Sequence, residues 1–204
     1  DITQVGLADL DRLLDPNNSL HSELQKAPPS FSTSYIGMNT KTPPFDDIKI
    51  RQALNYAINR TEIADLVLAN LVTPAKGILP PGFPGYNKNL KGYEHDPDMA
   101  RQLLSESKYA TTISEQPIVL TISGGFGASV NLDLEVITQS WLDVLGVQVE
   151  FQQTEFATYL QDLHKRRFDM FQIAWIADYP DPENCLDILF YTPSKNNHTQ
   201  YSNS

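Results

Sequence analysis

Apolar residues along the chain switch between two spacings, and the switches mark the elements. "YIGMN" (35–39) is a short apolar run that stops at the turn-rich "TKTPPF" and reads as extended chain. Beyond it, Ile50, Ala53, Leu54, Ala57 and Ile58 recur at alternating steps of three and one. That spacing lines one face of a helix with a period of about 3.6 residues, and Asp46 or Asp47 is placed to cap it. A second helix is expected in "NRTEIADLVLANL", where Asn59 and Glu62 make a capping box. "HDPDMARQLLSES" (95–107) predicts a helix capped by Asp96, with Pro97 at its first position.

The period then changes. "PIVLTIS" (117–123) and "VQVEFQQ" (147–153) alternate apolar and polar residues, as half-buried strands do. Between them a helix is predicted from about residue 129 to 145, with Leu134, Ile137, Trp141 and Leu145 on one face and Gly146 as its stop. "FATYLQDLHKRR" is helical. Its basic end, "HKRRFD" (164–169), reads as a solvated C-terminus whose cations suit the helix dipole. "FDMFQIAW" is the next strand. Strands and helices alternate through most of the chain, which predicts an α/β fold. "TPAKGILPPGFPGYNKN" (73–89) holds four prolines and three glycines, so it is expected to be a long surface loop of the kind that often carries function.

Composition narrows the function classes. With 204 residues, 41% of them hydrophobic, the chain is long enough to bury a core. Fifteen basic against 25 acidic residues give a net charge of −10, which argues against a nucleic-acid or anionic-membrane partner. The single cysteine, Cys185, excludes an internal disulfide. No apolar stretch reaches the roughly 18 residues of a membrane-spanning helix. The chain opens on "DITQVG" without an initiator Met and ends abruptly, so a processed protein or an excised piece is expected.

Familiar chemical motifs are weak or missing. "GGFG" (124–127) lies between a strand and a helix but lacks the Lys and Ser/Thr of a phosphate loop. Its glycines are better read as permitting a tight turn or a close approach. His21, His95, His164 and His198 are scattered, with no His-x-x-x-His or Cys-x-x-Cys spacing, so no metal site is expected. No G-x-S-x-G elbow is present. "NRT" and "NHT" match glycosylation acceptors only weakly, the first being explained as a cap.

The chemistry concentrates in "FDMFQIAWIADYPDPENCLD" (168–187), where a core strand ends at Trp175 and runs into Asp178, Asp181, Glu183 and Asp187. The acid spacing does not fit a calcium loop. A glycosidase-type carboxylate pair depends on a distance the sequence does not contain. Asp181, before Pro182, reads as the cap of a helix through 182–190. Asp178, directly at the strand exit, is left without a structural duty.

At this point a resemblance supplies what the residues leave open. "YIGMNTKTPPFDDIKIRQALNYAINRTEI", "TPAKGILPPGFPGY", "YEHDPDMARQLLSES", "WIADYPDP" and "QYSNS" occur in an order similar to the oligopeptide and dipeptide receptors among bacterial extracellular solute-binding proteins of ABC importers. The first block is the most specific, and the similarity runs over nearly the whole chain. The resemblance implies one lobe of a two-lobed periplasmic-binding-protein-like fold, a mixed sheet flanked by helices. Residues 1–30 would lead in from a missing first lobe and 31–204 would form the C-terminal substrate-binding lobe.

The resemblance also implies that Asp178 pairs with the α-ammonium of a bound peptide and that Trp175 is the aromatic beside it. Asp181 is the reserve anchor, and Tyr179, Gly124, Gly125 and Phe126 are expected to line the same cleft. The implied partners are short peptides, the permease subunits and the missing N-terminal lobe. No cofactor, metal or catalytic residue is implied. The implied location is periplasmic or extracellular, with a lipid anchor in the full-length protein left open. The same scaffold could carry another solute, such as a nickel complex, an opine or a sugar, and an enzyme built on the 178–187 carboxylates is the remaining alternative.

Overall fold

The computed structural model describes residues 5–25, 27, 30–125 and 129–203. At its centre is a four-stranded mixed sheet in the order β1 (Ser32–Met38), β4 (Met170–Ile176), β2 (Ile118–Ser123) and β3 (Val149–Thr154). β1 runs antiparallel to β4, from Ser32 opposite Ile176 to Met38 opposite Met170. β2 runs parallel to both β4 and β3. The helices are α1 (Leu7–Leu14), α2 (Ile48–Tyr56), α3 (Arg60–Glu62, continuing as a π-helical turn Ile63–Val67), α4 (Pro97–Ser105), α5 (Leu132–Leu145), α6 (Phe156–His164) and α7 (Glu183–Phe190).

Because successive strand residues point to opposite faces, one sheet feeds two cores. On one face Leu120 and Met170 pack with Ile50, Ala53 and Leu54 of α2, Ala100 of α4 and Trp141 of α5. Trp141, 1% exposed, donates its indole N–H to the Leu54 carbonyl at 2.9 Å, so the largest core side chain also ties two helices together. On the other face Phe171 joins Phe168 and the α6 residues Tyr159 and Leu163. The Tyr159 hydroxyl donates to the Gln172 carbonyl at 2.7 Å, which satisfies it inside the apolar layer. The expected α/β architecture with helices on a mixed sheet is what forms.

Local chemistry sets the boundaries. Asp47, not Asp46, caps α2, accepting from the Lys49 amide at 2.9 Å. Asp46 instead takes Lys108 Nζ at 2.6 Å and the Tyr109 hydroxyl at 2.7 Å, and the Lys108 hydrogen bond leads the lowering of its carboxyl pKa. Asp96 accepts from Met99 N at 2.9 Å, and Asn59 and Glu62 exchange hydrogen bonds as a capping box. The predicted second helix keeps its start but loosens into the π turn. It ends where Ala69 and Asn70 adopt positive φ. α5 starts at Leu132, later than the apolar pattern suggests, and Gly146 closes it in the left-handed conformation at φ 69°. Strand pairing then begins at Val149 rather than 147, because Val147 is fully buried in the connection as a core plug. The amphipathic helix α1 was not expected; Leu10 and Leu13 are its buried positions.

Two sites make the packing testable. Gly37 lies opposite Phe171, and a Cβ added there would sit 2.3 Å from the ring. Alanine ordinarily suits a strand better than glycine, but here it must displace an interior aromatic, at about 1–3 kcal/mol. Gly37→Ala is therefore expected to lower the urea midpoint at unchanged slope.

His198 is the second site. It is 5% exposed, neither ring nitrogen has a partner, and its ring meets those of His164 and Phe171 edge-on. Burial, then the charges of His164 and Arg166, lowers its pKa to about 4. The unfolded chain therefore binds the proton first, and stability contributed by the neutral ring is complete above about pH 6.5 and is lost as pH falls toward 4. His198→Phe is expected to flatten that part of the profile of denaturation midpoint against pH.

Candidate functional site

β2, β3 and β4 are mutually parallel, so their carboxyl ends open on one edge of the sheet, the edge at which open α/β sheets receive ligands. The antiparallel β1 begins there, with Thr33 opposite Trp175. The backbone ladder runs one step past the strands, where Ala177 N donates to the Phe31 carbonyl at 2.9 Å. Asp178 follows immediately and is exposed to solvent. The sequence-predicted Trp175, at the end of β4, thus stands beside Asp178, Tyr179 and Asp181 in the loop between β4 and α7.

Each has a distinct setting. Trp175 is half-buried and donates its indole N–H to Asn184 Oδ1 at 3.1 Å. The Asp178 amide points at the same oxygen from 3.4 Å, leaving the Asp178 carboxylate outward. The Tyr179 hydroxyl donates to Glu183 Oε2 at 3.0 Å. Asp181 behaves as read from its position before Pro182: its carboxylate accepts from the Glu183 amide at 2.9 Å and its carbonyl from the Asn184 amide at 3.0 Å. It organises the start of α7, although Pro182 occupies the cap position itself.

The glycines share this edge. Gly124 extends the β2 ladder, donating to the Thr154 carbonyl at 2.9 Å. A Cβ on Gly125 would meet nothing within 4 Å, so crowding in the lobe does not require glycine there. Phe126 lies outside the described residues.

The proline-rich loop 73–89 forms one wall. Thr33 Oγ1 donates to the Ile78 carbonyl at 2.9 Å, Phe31 and Phe83 meet edge-to-face at 5.2 Å, and Gly85 lies against Pro182. Gly85 has φ 76°, and a Cβ there would come within 3.1 Å of the Pro182 ring. Asn184, buried and shared by Trp175 and the Asp178 amide, is the neighbour that reading for carboxylates missed. It could have been found as a polar residue on the buried face of α7, one turn before Ile188 and beside Cys185.

Chemically, the arrangement is an outward carboxylate on a fixed backbone next to an aromatic. Asp178, Asp181, Glu183 and Asp187 are all exposed, whereas a carboxyl used as a general acid is held in apolar surroundings. Cys185 is buried, and burial raises its thiol pKa, which disfavours thiolate chemistry. Among the described residues no group of three or more His, Cys, Asp or Glu side chains is placed to hold a metal, and no helix is long and apolar enough to cross a membrane. Concavities of about 290 and 370 Å³ open elsewhere, one between α3 and α5 and one beside Arg60, Lys76 and Tyr93. The Asp178 edge is an open surface.

Comparison with known proteins places the chain in a family. The profile of "Bacterial extracellular solute-binding proteins, family 5 Middle" matches residues 1–197. The chain is 29% identical to the dipeptide-binding protein of Escherichia coli over 85% of its length and 32% of that protein's. It is likewise 29% identical to heme-binding protein A of Haemophilus influenzae, over 98% of this chain and 38% of that one. Among solved structures, the murein tripeptide binding protein MppA of E. coli superposes with a TM-score of 0.79 at 24% identity, over 96% of this chain and 38% of MppA. The periplasmic binding protein DppA of Helicobacter pylori, solved with the peptide STSA, gives a TM-score of 0.79 at 23% identity, over 98% and 38%. The chain thus spans about a third of the length of these relatives. With its profile match running almost end to end, the chain belongs to the bacterial extracellular solute-binding proteins of family 5.

Proposed function

We propose that this chain is the C-terminal lobe of the substrate-binding component of a bacterial peptide importer, working outside the cytoplasmic membrane. In the full-length protein it captures short peptides against a first lobe and presents them to the ABC permease. The observation that carries the reading is Asp178, an exposed carboxylate on a hydrogen-bonded backbone at the carboxyl edge of the sheet, with Trp175 beside it. Relatives named for dipeptide and oligopeptide binding support it.

The physics suits capture rather than turnover. An ammonium can leave water only if a carboxylate and further acceptors replace its hydration. Asp178 supplies the carboxylate from one side. The remainder of a peptide is held through its backbone, as an added strand, which leaves side-chain identity unread. Ile176 and Tyr179, 67% and 43% exposed, flank Asp178 as apolar surface that a second lobe would cover on closure. Desolvation of the ion pair therefore depends on both lobes.

A second reading has its own support. The heme-binding relative, as similar as the dipeptide-binding one, shows that this scaffold does not dictate its cargo. A non-peptide solute would not need an ammonium anchor at 178.

Asp178→Asn in the full-length protein separates the two. Under the peptide reading it weakens free-amine peptide binding by about 2–5 kcal/mol in calorimetry, and N-acetylation of the peptide does the same to the unaltered protein. Unchanged affinity in both experiments would favour another cargo. The 204-residue lobe by itself is expected to bind such peptides more weakly than about micromolar, since half the contacts and the covering surface are missing. Micromolar or tighter binding would show that closure is not what buries the ligand.

A further inference from the structure

Asn184 is 0% exposed, and its side-chain oxygen lies 3.1 Å from the Trp175 indole nitrogen and 3.4 Å from the Asp178 amide nitrogen. Both of those groups are donors with no lone pair to offer, so it is the oxygen of Asn184 that faces them. The orientation of the amide is thereby settled, and Nδ2 is turned the other way. There it is buried without a hydrogen-bond partner. The Tyr179 hydroxyl, which donates to Glu183, stands beside the amide with its oxygen free to accept, the nearest group to Nδ2 though not in hydrogen-bond geometry.

Leucine, branched at the same carbon though larger, carries neither the amide donor nor its oxygen, so it removes the tie to both donors at once. That single oxygen ties the strand-end aromatic to the backbone of the residue three positions later. It is itself fixed, because Asn184 begins α7 with its own amide hydrogen-bonded to the Asp181 carbonyl at 3.0 Å. Without it, Asp178 would follow Ala177 on a loop free to turn its carboxylate.

We propose that Asn184 is a positioning residue for ligand capture: by holding Trp175 and the Asp178 amide on one oxygen, it fixes the direction of the Asp178 carboxylate without touching ligand. The inference rests on the ammonium-anchor reading of Asp178. It assigns the specificity for a free amine in part to a neutral residue that no count of charges would find.

The test is a double-mutant cycle in the full-length protein, with calorimetry on one short peptide in free-amine and N-acetylated forms. Asn184→Leu is expected to lower affinity for the free-amine peptide about tenfold or more, the scale of losing buried hydrogen bonds to a functional group, while leaving the acetylated peptide unchanged. On an Asp178→Asn background the same substitution is expected to cost nothing further, because its effect passes through that carboxylate. Equal weakening of both peptide forms, or losses that simply add in the double variant, would make Asn184 a structural residue and overturn the inference alone. If Asp178→Asn leaves free-amine binding intact, the anchor reading falls and takes this inference with it. Should the leucine variant fail to fold, Asn184→Ser, whose hydroxyl is too short to reach both donors, reads the same free-amine to acetylated ratio.

Discussion

Everything in this lobe leans on β4. It is bonded to β1 on one side and β2 on the other, and its adjacent residues Met170 and Phe171 enter opposite cores. Register matters here more than in a strand with one wet face. A slip by a single residue would exchange the two and leave neither layer packed. Gly37 enforces the register from the neighbouring strand, since only a residue without a Cβ fits beneath the Phe171 ring. The same strand then delivers Trp175 and Asp178 to the sheet edge, so the strand paired on both sides carries the candidate loop.

The loop is held by polar contacts of unequal consequence. Surface ion pairs such as Arg167 with Asp162 at 2.7 Å, or Arg101 with Asp98 at 2.9 Å, stand in water and contribute little. The hydrogen bonds to Asn184 Oδ1 are partly buried, with the acceptor itself shielded, so water competes with them less. The 73–89 loop packs alongside through the Ile78 carbonyl, the Phe83 ring and Gly85.

Much of the fold was legible because its signals were local. The face formed by Ile50, Ala53, Leu54 and Ala57, the caps at Asp96 and Asn59, and the stop at Gly146 all depend on residues a few positions apart. What the sequence hid depends on distant partners. The choice between Asp46 and Asp47 as cap is decided by Lys108 and Tyr109, more than 60 residues on, and α1 is only two turns long and has no side-chain cap to mark its start. Candidate site residues were named where charge announced them, or through likeness to a family. Asn184 announced nothing, because an uncharged amide shows its importance only when its burial and its partners are visible.

The last rung of the ladder, Ala177 N on the Phe31 carbonyl, links two parts of the chain that the sequence separates by more than 140 residues. Phe31 stands where the polypeptide enters the sheet, and Ala177 is the peptide unit before the outward carboxylate. The two are stitched by a single hydrogen bond, so the direction in which the chain leaves β4 is set against the point where it enters β1, and neither end can be re-aimed alone.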